Sequence, residues 1–263
     1  MTASVPLHAQ ISGDSAAPPV ILLHGLFGMS DNLGALAKAL QDHYAVYRLD
    51  LRNHGRSAWS QQMSLALMAE DVAAFCLQHK LQRAALFGHS LGGKVAMQVA
   101  LTQPQLVSAL VVADIAPVTY APHHNDILQA LAQLETVQIT SRQQADQLLA
   151  NTVADSFVRQ FVLKNLYRDE AGRFAWRMNV PVLINQYEQL RLAPQGDAFA
   201  GPCLFIKGEL SAYIQQKHMP AITELFPAAQ FKMIQGAGHF LHSEKPVAFN
   251  HLVKRFLDSH CLA

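Results

Sequence analysis

A chain of 263 residues with 51% hydrophobic and only 15% charged positions is too apolar to remain disordered, and long enough for one large domain with an insertion or for two small ones. Twenty Lys and Arg against nineteen Asp and Glu leave a formal charge of +1. No basic stripe suits a phosphate backbone and no apolar run is long enough for a bilayer span, so nucleic-acid and membrane partners are excluded in favour of a small molecule.

From Met1 to Asp14 the residues are small and polar, with no basic segment leading into an apolar stretch, so no secretory leader is expected and a cytoplasmic location follows. The first buried strand is expected at Val20 to Leu23, followed by a helix over Asp31 to Leu40. A strand at Ala45 to Leu49, a helix over Ser64 to His79, a strand at Ala84 to Phe87, a helix over Leu91 to Leu101 and a strand at Leu106 to Ala113 continue the alternation. Short apolar runs between longer helical patterns indicate a mostly parallel sheet covered on both faces, joined by right-handed crossovers. Cys76, Cys203 and Cys261 lack metal-ligand spacing and are read as reduced structural thiols, with no metal site and no cofactor.

Beyond Asp114 the pattern changes. Pro117, Pro122, His123 and His124 interrupt it, and Ile127 to about Leu192 is mostly amphipathic helix. Residues 117–198 are therefore expected to form a helical lid inserted into a core made of 1–116 and 199–263. The core resumes with strands at Pro202 to Lys207 and Phe231 to Ile234, a helix around Met219 to Phe226, and a closing helix over Val247 to Leu257.

Gly88-His89-Ser90-Leu91-Gly92 matches G-x-S-x-G directly after a buried strand and directly before a helix. A nucleophile on that sharp turn needs a strained backbone, and the flanking glycines let strand and helix pass closely. The alternative is an ordinary glycine-rich turn. A serine hydroxyl needs a base, and of thirteen histidines His239, in Gly236-Ala237-Gly238-His239 beyond the last strand, sits at the same edge of the sheet; His242 is its nearest rival. The acid that orients the base usually follows the strand after the lid, where Lys207-Gly208-Glu209-Leu210-Ser211 offers no aspartate. Asp114, ending the strand before the lid, is preferred over Glu209, the alternative role for Asp114 being a cap at the start of the lid.

His24-Gly25-Leu26-Phe27-Gly28 closes the first strand where one oxyanion donor belongs. The amides of Leu26 and Leu91 are the expected donors, with Phe27 a substitute for Leu26, and the Phe27 side chain is expected in the substrate pocket. Trp176 is a second pocket candidate from the lid. Lys94, one helical turn beyond Ser90, is read as reaching a loop carbonyl rather than an anionic substrate, and Asp50 to Ser57 is assigned a structural role.

Taken together, His24 to Gly28, Asp50 to Ser57, Gly88 to Lys94, Asp114 to Pro117, Trp176 to Leu183 and Gly236 to His239 closely resemble the bacterial YbfF-like esterases of the α/β-hydrolase superfamily, nearly end to end. The resemblance implies the α/β-hydrolase fold, Asp114 as the acid, no cofactor, and carboxylic esters or acyl-CoA thioesters as substrates. The same Ser, His and Asp set also serves lyase and perhydrolase chemistry, and a small-ligand-binding module with a vestigial triad is the alternative outside catalysis.

Overall fold

The computed structural model describes residues 4–135 and 137–262. Residues 1–3 and 263, which the expected core includes, and residue 136 of the expected lid lie outside the described residues. The chain opens with β1 (Ala9–Ser12), β2 (Pro19–Leu23), α1 (Gly34–Leu40), β3 (Ala45–Leu49), α2 (Leu65–Gln78), β4 (Ala84–His89), α3 (Leu91–Thr102) and β5 (Val107–Ala113). Each later element of this series was expected to within a few residues. The Asp31 to Leu40 pattern divides into a short 3-10 turn, Ser30–Leu33, and then α1.

Strand β1 has no counterpart in the expectations. It pairs antiparallel with β3, Ala9 opposite Leu49, and its residues are only partly covered. An edge strand of four residues carries too little apolar periodicity to stand out from a polar terminus.

The sheet has the order β1-β3-β2-β4-β5-β8-β9, where β8 is Cys203–Gly208 and β9 is Ala229–Ile234. All pairings except β1 with β3 are parallel. Strands β2, β4 and β5 lie in its middle with nearly every residue buried, which explains why they are continuous apolar runs rather than alternating ones. One face packs on α2 and α3; the other packs on α1 and the closing helix α11 (Pro246–Cys261). Parallel strands bring all their carboxyl ends to one edge, and the loops after β2, β4, β5, β8 and β9 gather there.

Between β5 and β8 the chain runs through α4 (Asn125–Glu135), α5 (Arg142–Ala150), α6 (Ser156–Leu163), α7 (Val180–Asn185) and α8 (Tyr187–Leu190). A hairpin of β6 (Leu166–Arg168) and β7 (Phe174–Trp176) interrupts these helices. The segment is mostly helical, and the hairpin within it had no counterpart in the expectations: Asp169 accepts from the Arg173 amide, and Gly172 at φ +76° closes the turn that reverses the chain. Beyond β8, α9 (Met219–Leu225) leads to β9, and α10 (Leu241–Glu244) precedes α11.

Polar contacts dock the inserted segment. Lys94 Nζ donates to the carbonyls of Val118, Arg191 and Leu192 at 3.0, 2.6 and 2.6 Å, so it reaches loop carbonyls as expected. Burial, and then the nearby positive charge of Arg191, pull this amine down to about 7. Asn165 Nδ2 donates to the Phe27 carbonyl at 2.7 Å, and the Asn179 amide donates to Asn53 O at 2.9 Å.

The Asp50 to Ser57 stretch is structural, as its composition suggested. Asp50 accepts the amides of Ser30 and Arg56. Arg52 and Asp71, each 1% exposed, form a two-point ion pair at 2.6 and 2.7 Å, and Arg52 also donates to the carbonyls of Gln62 and Leu67. Replacing Asp71 by Ala leaves that guanidinium buried and under-paired, and is expected to lower unfolding free energy by about 3–5 kcal/mol in urea titrations. An unchanged midpoint contradicts this.

Candidate active site

Ser90 stands between β4 and α3 with φ +52° and ψ −117°, a backbone conformation few side chains accept. The glycines on either side permit it. A Cβ on Gly88 would lie 2.1 Å from the Gly92 carbonyl oxygen, and one on Gly92 would lie 2.3 Å from that of Leu23. Nothing larger than hydrogen fits where strand and helix cross, so the G-x-S-x-G spacing is a steric requirement.

At the end of β5, Asp114 is fully buried and also adopts a positive φ, +54°. Its Oδ2 accepts from His239 Nδ1 at 2.7 Å and from the Ser211 hydroxyl, and its Oδ1 accepts from the Gly208 amide at 3.0 Å. The hydrogen on Nδ1 points at Asp114, and Nε2 meets no partner among the described residues. His239 and Ser90 line one cavity of about 580 Å³, and Ser90 Oγ is in no hydrogen bond among the described residues. Glu209, the alternative acid, instead accepts the Gly236 amide at 2.8 Å. His242 lines no described cavity that contains Ser90, and its Nδ1 lacks a partner among the described residues.

The backbone donors separate cleanly. The Phe27 amide is taken by His54 Nε2 at 3.3 Å, whereas the amides of Leu26 and Leu91 meet no acceptor among the described residues. Both of those residues border a small cavity with Ser90. Leu91 begins α3, so its amide is among the unpaired donors at a helix start.

Phe27 lines the 580 Å³ cavity. Trp176 does not join it. Its side chain is 7% exposed on β7 and lines another cavity with Trp59, Leu134 and Tyr167, so its place as a pocket residue beside Ser90 is corrected.

Several residues at the site escaped the sequence reading. Tyr213 stacks on His239 with ring centroids 4.1 Å apart. Glu244 accepts the Gly238 amide at 2.6 Å and the Phe240 amide at 3.0 Å, bracketing His239 on both sides. His89 Nε2 donates to the His239 carbonyl at 2.8 Å. The five-residue step from His239 to Glu244 is the one signal that pointed to such a clamp, since a carboxylate there reaches back over a single turn.

His24 and His54 also act on backbone: His24 bonds Gly25 O and the Leu51 amide, and His54 bonds Arg52 O and the Phe27 amide. Burial holds both in the neutral form, His54 at about 3, and pushes His242 down to about 4 and His89 well below the ordinary range.

In the unfolded chain these imidazoles take up protons below about pH 6.5, while in the fold His54 and His242 stay neutral until about 3 and 4. The unfolded state therefore binds more protons in that window, and stability falls as pH drops through it by up to about 1.4 kcal/mol per pH unit for each histidine. Urea midpoints measured from pH 7 to 5 should fall steeply, and His242→Phe should flatten the slope. For the loop clamp, Glu244→Ala is expected to lower kcat about tenfold or more with little change in KM, with Glu244→Asp restoring part of the loss. An equal fall in kcat for both variants counts against positioning.

A profile of the alpha/beta hydrolase fold family matches residues 18–246. The chain is 35% identical over 241 residues to Esterase YbfF of Escherichia coli, covering 91% of this chain and 93% of that one. It is 38% identical over 256 residues to the sn-1-specific diacylglycerol lipase ABHD11 of Mus musculus, covering 94% and 83%. A solved structure titled marine microorganism esterase superposes with a TM-score of 0.92 at 36% identity, covering 97% of this chain and all of that one. The chain belongs to the α/β-hydrolase fold family and, within it, to the YbfF-like esterases.

Proposed function

We propose that this protein hydrolyses carboxylic esters through an acyl-enzyme on Ser90, with His239 as base, Asp114 as orienting acid and residues 117–198 as a lid over the site. The observation that carries this is the 2.7 Å bond from His239 Nδ1 to the buried Asp114, set in a cavity shared with a strained, unbonded serine.

His239 Nε2 takes the Ser90 proton as Oγ attacks the carbonyl carbon, and the imidazolium formed is stabilised by Asp114. Negative charge develops on the carbonyl oxygen, where the free amides of Leu26 and Leu91 hold it. His239 then passes its proton to the alcohol oxygen as the carbon–oxygen bond breaks. A water repeats the sequence, releasing the acid and restoring Ser90. Ser211, bonded to Asp114, fills the space where the family's commoner acid position would stand and supplies that carboxyl with a further donor.

The three thiols stay free, a state suited to a reducing compartment such as the cytoplasm. No helix among the described residues is long and apolar enough to cross a membrane.

Ser90→Ala is expected to lower hydrolysis of p-nitrophenyl acetate by about 10⁴-fold or more and to abolish labelling by a fluorophosphonate. Asp114→Asn should lower kcat by about 10³–10⁴-fold, while Glu209→Gln stays within about tenfold of wild type. A burst of alcohol release at high enzyme concentration distinguishes hydrolysis from lyase chemistry. Turnover retained by Ser90→Ala, or loss confined to Glu209→Gln, overturns the assignment.

A further inference from the structure

We infer that the site selects esters joining a short acyl group to a larger, uncharged and apolar alcohol. The inference rests on the hydrolysis proposed above and names the substrate class for it.

The chemistry fixes which side of Ser90 receives each half of an ester. His239 hands its proton to the departing oxygen, so the alcohol lies on the imidazole side and the acyl chain extends away from it. Two cavities border Ser90. One, of about 40 Å³, is lined by Leu26, Leu91, Ile115, Tyr187 and Leu190 among others and does not include His239. The other, of about 580 Å³, includes His239. The acyl group therefore belongs to the small cavity and the alcohol to the large one.

The small cavity has room for about three water-sized groups. Its walls are closely packed. Leu91, Ile115, Tyr187 and Leu190 are each between 3% and 6% exposed, and the Tyr187 hydroxyl accepts the amides of His123 and His124 at 3.1 and 3.2 Å. Lys94, also on this wall, is tied to its three carbonyls. A long acyl chain would have to break these contacts to enter.

The large cavity is walled by Phe27, Ile127, Phe157, Phe161, Val162 and Phe240, with the Phe240 ring 5.0 Å from both Phe157 and Phe161. Its charged lining consists of two carboxylates, Asp155 and Glu244, and it has no Lys or Arg. A polyanionic leaving group such as coenzyme A would face these carboxylates with no cation to meet it, whereas an apolar alcohol buries against aromatic rings. A neighbouring cavity of about 660 Å³ holds Lys217 beside His239 but does not border Ser90.

The test compares kcat/KM of the wild type on matched series. With p-nitrophenol constant, octanoate should be cleaved at least about thirtyfold less efficiently than butyrate. With acetate constant, where aliphatic alcohols leave with similar ease, hexyl acetate should exceed methyl acetate at least tenfold, since each fully buried methylene is worth about fourfold. S-hexyl thioacetate should exceed acetyl-CoA at least tenfold.

Leu190→Ala should narrow the octanoate deficit, and Phe161→Ala should reduce the hexyl-to-methyl ratio. Octanoate cleaved as well as butyrate, a flat alcohol series, or a preference for acetyl-CoA each overturns the inference while leaving Ser90-dependent hydrolysis standing. A wild type that cleaves none of these esters refutes the hydrolysis itself.

Discussion

The fully buried carboxyl of Asp114 is the point on which the catalytic edge is assembled. It ends β5 and collects one donor from the end of β8, one from Ser211 in the following loop, and one from the imidazole beyond β9. Three segments far apart in the chain are thus held to one pair of oxygens. A buried carboxyl without such partners would be costly, so the same bonds that make the aspartate tolerable also fix the orientation of the His239 ring.

Around that point the protein uses uncharged imidazoles as struts. His24, His54 and His89 each bond main-chain groups in the loops that frame Ser90, and their burial keeps them neutral, so each ring offers one donor and one acceptor. The result is a polar but uncharged framework. One consequence is visible in the amides: His54 occupies that of Phe27, leaving the Leu26 amide as the open donor on that loop. The division of labour between two adjacent residues comes from a histidine on a different loop.

Much of this was legible in the residues. Buried parallel strands must be apolar throughout, which made β2, β4 and β5 plain, and the glycines around Ser90 are demanded by a crossing only about one carbon atom wide. Asp114 was preferred over Glu209 because it leaves a hydrophobic strand at the carboxyl edge of the sheet, and it is Asp114, not Glu209, that bonds His239. What was not legible depends on contacts between distant segments. The short hairpin carrying Trp176 lacks the periodicity that identifies a strand, and which cavity its residues line depends on how the inserted segment packs. Tyr213 lies in a loop with no pattern, and its stacking on His239 exists only once β8 and β9 are adjacent.

Lys94 grips Val118 at the start of the inserted segment and Arg191 with Leu192 at its end, so both necks of the insertion are fastened to α3, the helix that follows Ser90. Both ends of the inserted segment are thus held to one side chain of the core. The fastening is made entirely to main-chain oxygens, so it is indifferent to the side chains at those positions. The insertion's own side chains complete the docking, Asn165 on the Phe27 carbonyl and Asn179 on Asn53, so its attachment depends on particular residues as well as on main-chain oxygens.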